Sequence, residues 1–103
     1  MQEVFIVGEM QCAPDKIAEV ETILTRLRAA TRAEKGCMFY QFFEAENRPG
    51  VFATIEHWQN AEAEAAHWGT EHLREATSRL GPLLIGDMRL SRYNRTGGET
   101  GCI

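Results

Sequence analysis

The most constraining feature of this sequence is a segment, residues 37–45 (CMFYQFFEA), that is apolar on both sides if it forms a strand. Successive side chains of a strand point to opposite faces of the sheet. One set is Met38, Tyr40 and Phe42, and the other is Cys37, Phe39 and Phe43. A strand with one wet face alternates apolar and polar residues instead. The sheet that contains this segment therefore needs a cover on each face.

The order of the predicted elements is that of a ferredoxin-like α+β fold. Segments rich in β-branched and aromatic residues predict strands at 3–11, 37–45, 51–58 and 84–94. Apolar residues that recur in steps of three and four predict a helix over 14–33. With a second helical region after residue 58, the order is β-α-β-β-α-β, a four-stranded antiparallel sheet with helices on one face.

The second helical region is predicted to form two short helices. Asn60 is a good cap for a run that continues to about Trp68. Gly69 interrupts this run, and Thr70 can cap the next helix. A Gly-Pro pair at 81–82 ends that helix, because proline cannot continue it.

The length of the chain leaves one face of this sheet without a cover. The 103 residues suffice for a single domain, predicted over 1–94, with a glycine-rich tail over 95–103. The helices can cover one face, and no further element is left for the other. Because an exposed apolar face favours association, we predict a homodimer packed sheet against sheet.

Charge and composition exclude several partners. The net charge is -4 and no run of Lys or Arg is present, which argues against nucleic acid and anionic membranes. Apolar stretches such as 4–7 are too short to span a bilayer, and no signal peptide is apparent, so a cytoplasmic location is predicted. The cysteines, Cys12, Cys37 and Cys102, are odd in number and lack metal-binding spacing, which predicts reduced thiols.

The histidines at positions 67 and 72 are candidates for proton transfer, because imidazole titrates near neutral pH. As metal ligands on one helix they would be expected four positions apart. They are five apart, and a regular helix separates such positions by about 140°. The spacing therefore predicts no metal site. Thr70 places His72 in a first helical turn, whose positive end favours a neutral ring. A surface histidine near a helix end is the alternative interpretation.

A carboxyl group is predicted on the inner face of the third strand. Phe52, Thr54, Glu56 and Trp58 share that face by alternation, whereas His57 points the other way. An inward Glu56 needs a partner, and arginines on the last strand, Arg89 or Arg92, could provide it. A structural ion pair is the alternative to a catalytic or binding role.

Aromatic residues could line a pocket near these groups. Trp58 and Trp68 are suited to this, although ordinary core packing explains each of them as well. Tyr40 could donate its hydroxyl group to a ligand or simply fill space.

These residues together resemble the antibiotic biosynthesis monooxygenase (ABM) family over roughly residues 3–93. The resemblance is carried by Gly36-Cys37, Tyr40, Pro49, the pattern Phe52-x3-Glu56-x-Trp58, Ala63, His67 and His72. It implies a dimeric α+β barrel with a pocket between helices and sheet. It also implies an oxygenase that oxidises a small quinol or phenol with O₂, without cofactor or metal. His67 and His72 would then be catalytic, and the substrate-binding residues would be Tyr40, Phe52, Glu56, Trp58 and Trp68.

A related α+β-barrel isomerase or decarboxylase is compatible with these residues, and so are two other functions. One is a non-catalytic dimer that binds a small ligand, for instance a stress-related protein. The other is haem binding or degradation, which a related branch performs with an asparagine on strand one, a tryptophan and a histidine. Here strand one has no asparagine, His67 occupies the tryptophan position and Thr77 stands near the histidine position.

Overall fold

The computed structural model of the protein describes residues 2–97 and has the predicted order of elements. The strands and helices, in chain order, are β1 (Val4–Gln11), α1 (Ile17–Arg32), β2 (Cys37–Glu44), β3 (Val51–Trp58), α2 (Ala61–Trp68), α3 (Glu71–Leu80) and β4 (Arg89–Tyr93). Single turns of 3-10 helix span Pro14–Lys16 and Gly81–Leu83. The prediction of a ferredoxin-like α+β fold is confirmed.

The four strands form one antiparallel sheet in the order β2-β3-β1-β4. On the central strand β3, Glu56 lies opposite Ile6 of β1 on one side and Tyr40 of β2 on the other. Ile6 in turn lies opposite Arg92 of the edge strand β4. The inner face of the sheet therefore carries Glu56 at its middle, beneath the helices.

The helices lie close to their predicted positions, although the first three residues of the predicted helix 14–33 form a 3-10 turn and α1 begins at Ile17. The apolar stripe of α1 buries Val20, Leu24, Leu27 and Thr31. The Asn60 side chain accepts a hydrogen bond from the backbone N–H of Ala63, and Thr70 accepts one from Leu73. Gly69 ends α2 and the Thr70 cap begins α3, so the second helical region is interrupted as expected.

The predicted alternation along β2 is wrong at its first two residues. A bulge between Cys37 and Phe39 shifts the pairing with β3, so that Cys37 lies opposite Trp58 and Phe39 opposite His57. Cys37 therefore packs against the core, whereas Met38 is exposed. A bulge adds one residue to one strand, which reverses the side-chain orientation on one side of it.

The last strand is shorter than the predicted 84–94. Leu84 forms only an isolated bridge with Cys12, and the strand proper begins at Arg89. Between them Gly86 adopts φ = 69°, a left-handed conformation that interrupts the extended chain. β4 is thereby a five-residue edge strand that pairs with β1.

The core consists of two clusters on the inner face. One is built around Trp58 and Tyr40, and the other around Phe52 and Leu80. On the outer face large apolar side chains are exposed to solvent: Val7, Phe43 and Tyr93. The strands are thus apolar on two faces, as expected, and the helices of the described chain cover one of them.

Predictions for the C-terminal tail fall largely outside the described residues. Cys102 and residues 98–103 belong to that part of the chain. Arg95, the first residue of the predicted tail, lies with its guanidinium group 4.8 Å from the ring centre of Phe5. Within residues 2–97 no helix is both long enough and apolar enough to cross a membrane.

Candidate functional site

A cavity of about 40 Å³ lies between the helices and the inner face of the sheet. Most of its lining is apolar, with a few polar groups among it. The lining side chains that can form hydrogen bonds or transfer protons are those of Tyr40, Thr54, Glu56, His67, Trp68 and Thr77. Convergent polar groups in an apolar enclosure are typical of small-molecule sites.

The histidine at the wall of this cavity is linked to a carboxylate behind it. Nδ1 of His67 lies 2.8 Å from Oε2 of Glu34, and Nε2 of His72 lies 2.6 Å from the same oxygen. An ionised carboxylate only accepts hydrogen bonds, so each ring donates an N–H to it. The second nitrogen of a neutral ring is then left as an acceptor.

Gly36 brings Glu34 against α2. Its φ of 84° is the left-handed conformation that glycine adopts readily, and it turns the chain from α1 into β2. A Cβ atom at this position would lie 2.5 Å from Cβ of Ala63. The absence of a side chain therefore lets the loop that carries Glu34 approach the helix that carries His67.

Glu56 is buried at the cavity wall, and its partner is an indole. Nε1 of Trp58 donates a hydrogen bond to Oε1 of Glu56 at 2.9 Å. Burial raises the pKa of the Glu56 carboxyl above its ordinary value, while the Trp58 hydrogen bond and the nearby His67 oppose the rise. The expectation of an arginine partner is wrong, because Arg89 binds Glu9 and Arg92 binds Glu64.

Three aromatic rings enclose His67. Its ring centre lies 4.7 Å from that of Trp58 and 5.5 Å from that of Tyr40, with Trp68 on a further side at 5.8 Å. Burial raises the pKa of the Tyr40 hydroxyl well above its ordinary value, with the Glu56 carboxylate adding to the rise. Tyr40 is therefore a neutral hydroxyl group next to the imidazole.

Trp68 forms the exposed edge of the site. Its ring lines the cavity, yet a large part of it is accessible to solvent. The buried carboxylate of Glu64 accepts hydrogen bonds from Nε1 of Trp68 and from Arg92 of β4. The Glu64 carboxylate therefore connects Trp68, at the rim of the cavity, to β4, the outermost strand of the sheet.

The predicted site residues are only partly gathered at the cavity. Tyr40, Glu56, His67 and Trp68 line it. Trp58 lies directly behind, against His67 and Glu56. The remaining two predicted residues are placed elsewhere: Phe52 packs in the second core cluster, and His72 lines a groove between α1 and α3 on the outside.

Glu34 is the residue that sequence reasoning missed, and it changes the interpretation of the two histidines. His67 lies on α2 and His72 on α3, so the two histidines do not share one regular helix. His72 is in the first turn of its helix as expected, but it also contacts a carboxylate. One signal for Glu34 was available in the sequence. An acidic residue just after the end of a helix is unfavourable because it lies at the negative end of the helix dipole, which suggests that it has another partner.

Comparison with known sequences gives one family. The sequence profile described as antibiotic biosynthesis monooxygenase matches residues 3–79. An uncharacterized protein of Synechocystis is 27% identical over 97 residues, which are 94% of this chain and 66% of that protein. The chain therefore spans just under two thirds of the length of this curated relative.

Solved structures with the same fold come from several bacteria. A protein from Deinococcus radiodurans, provisionally named an antibiotic biosynthesis monooxygenase, is 29% identical with a TM-score of 0.86 and 97% coverage of both chains. One from Caulobacter crescentus, with the same provisional name, is 25% identical with a TM-score of 0.88, covering 92% of this chain and 91% of that one. A Bacteroides thetaiotaomicron protein described as a possible oxidoreductase is 27% identical with a TM-score of 0.83, covering 89% and 96%.

Proposed function

The chain belongs to the antibiotic biosynthesis monooxygenase family, and from that premise we propose that it oxidises a small phenol or quinol with O₂ without a cofactor. The observation that supports this proposal most directly is the position of His67. Its side chain lines the internal cavity, and its Nδ1 contacts the Glu34 carboxylate. A base at the wall of an apolar chamber is what phenol deprotonation requires.

The proposed reaction needs no external reductant, because the phenol supplies the electrons. A base removes the phenolic proton, and the electron-rich anion reduces O₂ while a new C–O bond forms on the ring. The O–O bond then breaks as water leaves, and the ring carbon becomes a carbonyl. The phenol loses four electrons and two hydrogens; one oxygen atom enters the quinone product and the other leaves as water.

In this proposal His67 accepts the phenolic proton. With Nδ1 donating to Glu34, the other ring nitrogen of the neutral imidazole is an acceptor. The carboxylate orients the ring and stabilises the imidazolium that forms, in the same way as a carboxylate behind a catalytic histidine does elsewhere. His72 contacts the same carboxylate oxygen and would share the charge.

Glu56 and Tyr40 would stabilise the oxygen of the substrate anion. Both line the cavity, and burial raises the pKa of each. The neutral Tyr40 hydroxyl can donate a hydrogen bond to an anionic oxygen, and a raised pKa favours the protonated form of Glu56, which could do the same. Trp58, which donates to Oε1 of Glu56, would hold that side chain in position.

The substrate must widen the cavity to enter. An engineered apolar cavity of about 150 Å³ accepts benzene, whereas this one measures about 40 Å³. The less buried part of the wall is its edge, where Trp68 and Leu90 are exposed and Met88 is partly exposed. Because Glu64 accepts hydrogen bonds from both Trp68 and Arg92, Trp68 and β4 would move together. In this proposal their movement widens the cavity enough for an aromatic ring.

A second copy of the chain is the proposed cover for the outer face of the sheet. Val7, Phe43 and Tyr93 are exposed there, and members of this family are typically dimeric. Exposed apolar patches on a monomer favour association. Sedimentation analysis at micromolar concentration should give twice the chain mass, and Val7→Asp should shift the protein toward the monomer. A wild-type monomer would contradict the proposed dimer.

Oxygen uptake with candidate hydroquinones and naphthols, measured on chelator-treated protein under air, tests the reaction. We expect uptake to fall about 100-fold in His67→Ala, the lower range for loss of a general base. Glu62→Gln, an exposed change on the same helix, should keep the wild-type rate. With labelled O₂, one labelled atom should appear in the product.

Two results would count against this proposal. An unchanged rate in His67→Ala would remove the assigned base. Binding of the same phenols without any oxygen uptake would favour the alternative of a ligand-binding protein without catalysis.

A further inference from the structure

Glu34, His67 and His72 meet at one place, and their side chains are of the types that bind metal ions. Oε2 of Glu34, one ring nitrogen of His67 and one of His72 all lie within 4.8 Å of one another. They come from three separate segments: the turn after α1, the last turn of α2 and the first turn of α3. Such convergence is not enforced by the spacing of the residues in the sequence.

The donor set matches a borderline first-row cation. Two imidazole nitrogens and one carboxylate oxygen suit Zn²⁺, Co²⁺ or Fe²⁺ rather than Ca²⁺ or Mg²⁺. Around a tetrahedral ion, ligand atoms at about 2.1 Å from the metal are about 3.4 Å apart. The contacts of 2.6 and 2.8 Å to Oε2 would therefore need to lengthen. The two imidazole nitrogens, which lie within 4.8 Å of each other, would need to reach the same spacing through small rotations of the side chains.

The burial of the three ligands is graded from the inside to the outside. The exposed fraction of the side chain is 2% for His67, 12% for Glu34 and 29% for His72. His72 also lines the groove between α1 and α3. An ion can therefore enter from this groove, and its remaining coordination positions would face solvent.

We propose that Glu34, His67 and His72 form a binding site for a divalent first-row cation, with Zn²⁺ or Co²⁺ as the representative ligand. Each residue provides one atom: Oε2, Nδ1 and Nε2 in that order. Water completes the coordination. Each imidazole binds through a nitrogen that has no proton, so the ring proton moves to the other nitrogen or to solvent.

The site has a consequence for the reaction, which rests on the proposed function. The ion would bind the same carboxylate and the same nitrogen of His67 that hold the ring ready as a base. A protein loaded with metal should therefore oxidise phenols more slowly than a protein treated with chelator. The cation would act as a reversible inhibitor of the oxidation.

Titration of the full chain with Co²⁺ tests the binding without any substrate. We expect one ion per chain and the visible absorption of a cobalt ion with four or five ligands. Glu34→Ala and His72→Ala should each weaken cobalt binding by more than about 10-fold. A loss of about 10-fold already follows when a residue that only orients a metal ligand is removed, and here a ligand itself is removed. His72 is the most exposed ligand, so His72→Ala is the variant expected to fold best.

His57→Gln is the matched control. His57 is the remaining histidine of the three in the chain, and Nε2 of its ring lies 2.7 Å from the Glu3 carboxylate. This pair offers only two ligands, so the substitution should leave cobalt binding unchanged. Cys37→Ser should also leave it unchanged, and no thiolate-to-cobalt absorption should appear in the near ultraviolet.

A second measurement protects the test against misfolded variants. Zn²⁺ should raise the thermal midpoint of the wild type and of His57→Gln but not of His72→Ala. Equal binding by His72→Ala and wild type, or a spectrum of six-coordinate aqueous cobalt in the wild type, would overturn the metal site. Neither result depends on oxygen uptake, so the metal site and the oxidation can fail separately.

Discussion

Oε2 of Glu34 and Nδ1 of His67 lie 2.8 Å apart, although 33 positions separate the two residues along the chain. The contact joins the turn after α1 to the last turn of α2 and is largely enclosed. His67 has a side chain that is 2% exposed, so solvent cannot replace the carboxylate as acceptor. This pair therefore contributes to stability as well as to the candidate site.

Replacing Glu34 with alanine should lower the free energy of unfolding by about 1–3 kcal/mol, because a buried N–H loses its acceptor. Glu34→Gln should lower it less, since the amide oxygen can still accept. Urea denaturation in a buffer with chelator measures both. Glu46→Ala, at an exposed position, is the control and should stay within about 0.5 kcal/mol of the wild type. Equal stability of Glu34→Ala and wild type would show that the contact is not needed.

Gly36→Ala should destabilise the fold by about 2 kcal/mol or more. The residue has φ = 84°, and the new Cβ atom would lie 2.5 Å from Cβ of Ala63. The double variant with Ala63→Gly removes the overlap and should recover part of the loss. Gly81→Ala is the matched control, because it has a helical φ of -45° and no atom within 4 Å of the added carbon. It should be neutral or stabilising by up to about 1 kcal/mol. Equal stability of the two variants in a thermal melt would refute the argument.

The fold could be predicted because its signals are local. The apolar stripe of α1 and the side-chain caps at Asn60 and Thr70 depend on residues within a few positions of one another. The bulge at Cys37 has no such signal, because it arises from the pairing of β2 with β3. The same is true of the isolated bridge between Leu84 and Cys12, which replaces the first part of the predicted last strand.

The candidate site could be predicted only in part, for the same reason. Glu56 and Trp58 lie two positions apart on one strand face, so their shared location follows from alternation. Their mutual hydrogen bond does not, and arginines were expected instead. The meeting of Glu34 with His67 and His72 depends on how the turn after α1 packs against α2. The five-residue spacing of His67 and His72 predicted that the two side chains point in different directions from one helix. They meet instead, because the helix is interrupted between them.

Cys37 should react slowly with alkylating reagents at neutral pH. Burial, together with the nearby Glu34 carboxylate, raises the pKa of its thiol to about 11 from an ordinary 9.0. The thiolate fraction at pH 8 should then be about 100-fold lower, but a more basic thiolate is more reactive, so the net rate should fall about 10-fold. Iodoacetamide labelling against pH, followed by mass spectrometry of the Cys37 peptide, measures this. The labelling rate of Cys37 should rise with pH up to about pH 11, and a plateau near pH 9 would contradict the raised pKa. In urea the unfolded chain should label at the rate of an ordinary cysteine.

The stability difference between wild type and Glu56→Gln should depend on pH in a defined direction. Burial raises the pKa of Glu56 above its ordinary 4.5 in the folded protein. Above 4.5 the folded state therefore holds this proton more tightly than the unfolded state, so the wild type loses stability as the pH rises through the folded pKa. The amide side chain of the variant cannot ionise, and its oxygen can still accept the Trp58 hydrogen bond. We expect similar unfolding free energies near pH 4 and a relative gain for the glutamine variant by pH 8. Urea denaturation at both values measures it, and a gain for the wild type instead would mean that burial does not dominate the ionisation of Glu56.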